Sequence, residues 1–143
     1  MVETFIADSE WGASGEILDS RIIQRDFNFY KLGDDIDGEA EGDRSGWSVS
    51  LSSDGSIVAI GAYGNDGNGT ISGHVRVYEW NGSAWIQRGA DIDGEAANDW
   101  SGWSVSLSGG GGMVAIGARE NHDNGYNSGH VRVYEWNGSA WVQ

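Results

Sequence analysis

The sequence predicts an all-β fold: two four-stranded antiparallel propeller-type blades with a partial N-terminal blade ahead of them, an incomplete β-propeller. Three observations carry this. GHVRVYEWNGSAW occurs unchanged at Gly73 to Trp85 and Gly129 to Trp141, and residues 33–87 laid over 89–143 give about 40 identities at a period of about 56 residues. The chain has 24 glycines and 8 tryptophans but no proline or cysteine, a balance of turn formers and large packing surfaces that suits many short strands. Within each unit, runs of strand periodicity alternate with turn dipeptides.

Taken in order, residues 1–32 form an N-terminal segment, 33–88 the first unit and 89–143 the second. In the N-terminal segment TFIADSEW suits a strand and SRIIQRDFNF a degenerate hairpin. Phe29 to Leu32, aligned with the strand that begins at Trp85, is the expected last strand of a partial blade. GWSVSLS places Trp47, Val49 and Leu51 on one face and Ser48, Ser50 and Ser52 on the other. The serine face is expected near the propeller axis, with Trp47, Trp80 and Trp85 filling the wider space between blades. SIVAIGA, a short apolar run, suits a strand buried on both faces. Asp54-Gly55 provides the turn before it, replaced in the second unit by Gly109 to Gly112. HVRVYEW and SAWIQRG form a second hairpin across Asn81-Gly82, expected as a type I′ turn. A plain β-sandwich or an open sheet stack is the alternative arrangement.

Charge excludes some functions. A formal net charge of −14 with eight lysines and arginines opposes binding to nucleic acid or anionic membranes, which are held mainly by basic residues. No run approaches the roughly 20 apolar residues of a membrane helix, and no signal peptide is visible. Compartment and redox context stay open.

The acidic stretches offer a candidate cation site. Asp35, Asp37, Glu39 and Asp43, with Asp91, Asp93, Glu95 and Asp99 in the second unit, alternate on glycine-containing loops that could gather oxygens around Ca²⁺. The spacing lacks the full calcium-loop pattern, and an interblade loop whose carboxylates cap backbone N–H groups is the alternative. Asp54 is not a cation ligand on this reading, since Gly110 replaces it in the second unit. No nucleophile, base and orienting acid converge, so no catalytic residue is expected. Asn-Gly-Ser/Thr sequons start at Asn68, Asn81 and Asn137, and at the last two turn geometry already explains Asn-Gly. Tyr63 to Ile71 and Arg119 to Asn127 diverge most between the units. Tyr63, Asp66 and Asn68 with Arg119, His122, Asp123 and Tyr126 are therefore the candidate ligand-binding residues, unless the difference is neutral drift in exposed turns.

SGWSVSLSSDGSIVAIGA followed by SGHVRVYEW resembles the FG-GAP repeats of integrin-α-like β-propellers, in a variant of large secreted or surface proteins of bacteria and algae. Ser45-Gly46-Trp47 stands where that family has Phe-Gly, and Gly61-Ala62-Tyr63 where it has Gly-Ala-Pro. The proline is missing from both units, and so is the family's calcium loop between the first two strands. The resemblance implies a non-catalytic binding or adhesion module, extracellular or at the cell surface, with a protein or carbohydrate ligand. Such propellers usually have about seven blades, so a fragment of a larger protein, prone to self-association, is expected. A structural spacer without specific ligand and a calcium-dependent carbohydrate-active propeller are the alternatives.

Overall fold

The computed structural model describes residues 4–7, 21–24 and 30–143. The chain divides into two compact units, Met1–Lys31 and Leu32–Gln143. In the first, β1 (Thr4–Ala7) pairs antiparallel with β2 (Arg21–Gln24). Arg21–Gln24 thus pairs with the strand expected in TFIADSEW rather than within its own segment. Tyr30–Leu32 forms no strand, and Phe29 lies outside the described residues.

The second unit holds two antiparallel sheets and, among the described residues, no helix. In the first sheet β3 (Ser48–Leu51), β4 (Ile57–Ala62), β5 (His74–Trp80) and β6 (Trp85–Gln87) lie side by side, and β7 (Ile92–Asp93) also pairs with β5. The second runs β8 (Ser101–Leu107), β9 (Met113–Ala118), β10 (His130–Trp136) and β11 (Trp141–Val142) in the same order. These are two propeller-type blades, and the sheets do not close.

Register sorts the side chains into two faces. Ser48 opposes Gly61, which opposes Val75, and Ser50 opposes Ala59, which opposes Val77, so these six share one face. That face meets the second blade. Ser48 Oγ donates to Gly102 O at 2.7 Å, and Leu107 N donates to Ser50 Oγ at 2.9 Å. The serines are therefore interblade hydrogen-bonding groups, and small because the neighbouring backbone comes close. From the other side Val105, Leu107, Val114, Ile116 and Tyr134 pack against Ile57, Ala59, Val75, Val77 and Ile92, so the core lies between the blades. β4 and β5 are buried on both faces, as the apolar run SIVAIGA predicts. Ile92 enters this core 5% exposed because β7, sequentially past residue 88 where the first repeat ends, joins the first blade's sheet.

The turns are held by side chains. Asp54 Oδ1 accepts from Ser52 Oγ, Ser56 N and Ser56 Oγ at 2.7, 3.0 and 2.8 Å, while Ser52 Oγ accepts from Ile57 N at 3.0 Å. These bonds, led by that from Ser52, hold the Asp54 carboxyl down at about 2, from 3.8. A depressed folded-state pKa adds stability above the ordinary carboxylate range that is lost as pH falls through about 2. Asp54→Asn should therefore melt slightly below the parent chain at pH 7 and level with it near pH 2. Thermal melts across that range test this, and an offset independent of pH counts against it. At the second hairpin only Gly82 takes positive φ, 99°, while Asn81 Oδ1 accepts from Ser83 N and Ala84 N at 2.9 Å each. A type I′ turn needs positive φ at both central residues. Asn81 is instead the cap of a turn built on Gly82.

Candidate functional site

Two arrangements bring the chemistry-bearing side chains together. The first is a clasp between each acidic loop and the third long strand of the same repeat, β5 or β10. Arg76 Nη2 donates to Asp37 O at 2.6 Å, and Arg132 Nη2 donates to Asp93 O at 2.9 Å, across the same 39-residue separation. The same guanidiniums face Glu39 Oε1 at 3.7 Å and Glu95 Oε1 at 3.1 Å. Arg76 also lies over the Tyr78 ring, and Arg132 over Tyr134. Burial pushes both phenols above their ordinary range, with the arginine beside each opposing the shift.

His74 Nδ1 lies 3.8 Å from Glu39 Oε2 and from Asp91 Oδ2, and His130 Nδ1 lies 3.8 Å from Glu95 Oε2 and 4.0 Å from Asp123 Oδ2. Each trio gathers one donor atom per residue within 4.8 Å. One imidazole with two carboxylates suits a transition metal better than Ca²⁺, which prefers an all-oxygen shell. Of the eight acidic residues that the sequence suggests for calcium, Glu39, Asp91 and Glu95 enter these trios. Asp37 and Asp93 contribute backbone oxygens to the clasp, and Asp35 is exposed. Asp43 and Asp99 are buried elsewhere. Asp43 Oδ2 accepts from Asn65 Nδ2 at 3.0 Å and Ala40 N at 3.1 Å. Asp99 Oδ2 accepts from Asn121 Nδ2 at 3.1 Å and Ala96 N at 3.2 Å. This pairing explains why Asn65 and Asn121 are retained in otherwise divergent loops.

The second arrangement is an aromatic and cationic cluster across both blades. Trp47 meets Trp103 at a tilt and Tyr63 edge to face, with centroids 4.9 and 5.0 Å apart, and Trp100 lies 5.3 Å from Tyr63 and 5.5 Å from Trp103. Arg44 sits over Tyr63 at 5.7 Å, and Arg119 over Trp103 at 4.9 Å. Arg44 and Trp100 occupy equivalent repeat positions, as do Tyr63 and Arg119, so each blade supplies one arginine and two aromatic rings in a different order. Arg44 and Trp100 both adopt left-handed backbone, φ 56° and 58°. A bulky residue in that region carries strain of about 1 kcal/mol or more, and such strain gathers at functional sites. Trp100 is pinned there by its N–H, which donates to Ile71 O at 3.2 Å. Trp47 stays 50% exposed.

The candidate ligand residues divide between this cluster and the loops. Tyr63 and Arg119 belong to the cluster, and Arg119 also pairs with Glu120 at 3.1 Å. Asp66 Oδ1 accepts from Ile71 N at 2.7 Å, and Asn68 Nδ2 donates to Gly94 O at 2.8 Å, so both are engaged in holding backbone. His122 Nδ1 accepts from Asn127 N at 3.2 Å, and its ring lies 5.0 Å from that of Tyr126, which is 87% exposed. Asp123 accepts from Asn121 Nδ2 at 3.3 Å. Sequence reasoning missed Arg44, Trp47, Trp100 and Trp103 as site residues. The exchange of Arg44 for Trp100 beside an otherwise constant Ser-Gly-Trp was the available signal.

The FG-GAP repeat model matches twice, over residues 36–78 and 92–134, together more than half of the chain. The chain belongs to the FG-GAP repeat family. No curated protein matches it. Both matched segments of these FG-GAP repeats begin in an acidic loop and end on the strand carrying its clasping arginine, so each encloses one complete clasp. Among the described residues no helix is long and apolar enough to cross a membrane.

Proposed function

We propose that this chain is a non-catalytic binding module, with FG-GAP blades as scaffold and the Trp47, Tyr63, Trp100, Trp103, Arg119 cluster as its ligand surface. The cluster carries the reading. Broad aromatic faces beside a guanidinium are the side chains that dominate binding surfaces, and Trp47 and Arg119 are about half exposed. The net charge of −14 favours a neutral or basic ligand, which points to neutral carbohydrate or a basic protein surface. The non-catalytic part rests on where the acidic groups are spent: Asp43, Asp99, Glu39 and Glu95 hold loops and arginines.

A glycan array and a panel of basic protein baits, probed with the parent chain and with Trp47→Ala/Arg119→Ala, test this. Any ligand found should lose about tenfold or more in affinity in the double variant, the usual effect of truncating central contacts. Undiminished binding would remove the cluster from the site. A structural spacer is the second reading, favoured by the use of Asp66 and Asn68 in internal bonds. An empty screen supports it.

A further inference from the structure

We propose that a second copy of this chain docks tail to head on the first, through the same pair of faces that joins its two blades. The internal junction is the template. On its first-blade side stand Ser48, Ser50, Ala59, Gly61, Val75 and Val77, and on its second-blade side Val105, Leu107, Ile116 and Tyr134 with the Gly102 backbone. Each set recurs at the opposite end of the stack, the first open along Val131 and Val133 and the second open along Val49 and Leu51, while Ile60 and Tyr78, equivalent to Ile116 and Tyr134, are buried. Ser104, Ser106, Ala115, Gly117, Val131 and Val133 share one face by register, and every one matches its counterpart 56 positions earlier. Val75 and Val77 are 0% and 1% exposed, whereas Val131 and Val133 are 67% and 46% exposed. On the far side of the stack Val49 and Leu51, equivalent to Val105 and Leu107, are 62% and 60% exposed.

Shape is complementary as well as chemistry. At the internal junction the kinked backbone at Gly102, φ 82°, presses on Gly61, where a Cβ would meet Gly102 O. Gly46 holds the same kink, φ 86°, with nothing among the described residues within 4 Å of where its Cβ would be, and the three atoms nearest a Cβ on Gly117 all belong to its own blade's Ser104. A hollow of about 420 Å³ lined by Ser104, Gly117 and Val131 lies where the kink of the next copy would seat. Moving the internal hydrogen bonds by one repeat gives the expected register: Ser104 Oγ to Gly46 O, and Leu51 N to Ser106 Oγ, each between copies. The contact is heterologous, so one copy's docking leaves both outer faces open to the next. Repulsion between chains of −14 opposes it, and added salt should strengthen it.

The test is sedimentation of the full chain over a wide concentration range at low and high NaCl, with two double variants. Val131→Asp/Val133→Asp disables the tail and Val49→Asp/Leu51→Asp the head. The parent chain should show an average mass that rises with concentration and with salt. Each variant alone should stay monomeric, and their equimolar mixture should form a 1:1 dimer and nothing larger, because one live tail meets one live head. A parent chain monomeric throughout, either variant associating alone, or a mixture that stays monomeric would each overturn the proposal. Melting curves establish that the variants fold. Should the aspartates prevent folding, Val131→Thr/Val133→Thr keeps the shape and should weaken association roughly tenfold, two buried methyls having become hydroxyls; unchanged association would again overturn it.

Discussion

Replacing Arg76 with alanine is expected to destabilise Leu32–Gln143 by about 2 to 3 kcal/mol in urea unfolding. Arg76 is 6% exposed, donates to Asp37 O at 2.6 Å and faces Glu39 at 3.7 Å. Its removal strands a carbonyl and a carboxylate at a blade surface and uncovers the Tyr78 ring. The figure lies below the ~3 to 5 kcal/mol for breaking a fully buried pair because Glu39 remains half in water. Arg76→Lys keeps the charge but not the fork that reaches the carbonyl and the carboxylate together, so it should fall between the two. Equal stabilities of all three chains would show that the clasp holds nothing.

Gly73→Ala is the second large effect. Gly73 has φ 73°, and a Cβ there would run into the Ser101 backbone oxygen, with Ser101 N at 2.7 Å. Ser101 N donates to Ser72 O at 2.9 Å across the same junction, so neither strand can withdraw without breaking the bond. Backbone strain and collision together should cost about 3 kcal/mol or more. Gly129, the identical position of the second blade, has φ 63°, but its nearest atom is Arg119 O at 3.0 Å. Gly129→Ala should lose only about 1 kcal/mol, mostly from φ. The gap between the two variants in denaturant midpoints isolates what the neighbouring blade contributes. If both variants lose the same amount, the junction is softer than its hydrogen bonds imply.

Much of the strand layout was legible in the sequence because it depends on residues near one another. The alternation in GWSVSLS, the apolar run SIVAIGA and the turns at Asp54-Gly55 and Asn81-Gly82 each report a local geometry, and each element stands at or close to its expected place. What two blades do to each other was not legible. The serines of β3 are legible as small residues at a crowded place, but that Ser48 Oγ lies 2.7 Å from Gly102 O of the next blade is not. The acidic loops read alone as either a cation site or a capped interblade loop, and the Arg76 and Arg132 guanidiniums, 39 residues downstream, become visible against them only in the fold. Arg44 and Trp100 become partners in one cluster only after the repeats are stacked, since neither position alone has a period or a motif.

The short pairing of Ile92–Asp93 with His74–Val75 puts the unit of duplication and the unit of folding out of phase. Copying proceeds from one glycine-aspartate loop to the next, but a first blade cut at that seam loses Ile92 from its core, while the loop that Arg132 grips stays with Arg132 in the second. Each copy is therefore finished by the opening residues of the one after it, as a hook is finished by its eye. A chain assembled this way gains a blade only by extending an overlap already present. An excised first blade that is to fold must carry its borrowed residues through Asp93, and a graft must duplicate them rather than divide the loop, because Arg132 of the second blade holds Asp93 O and Glu95.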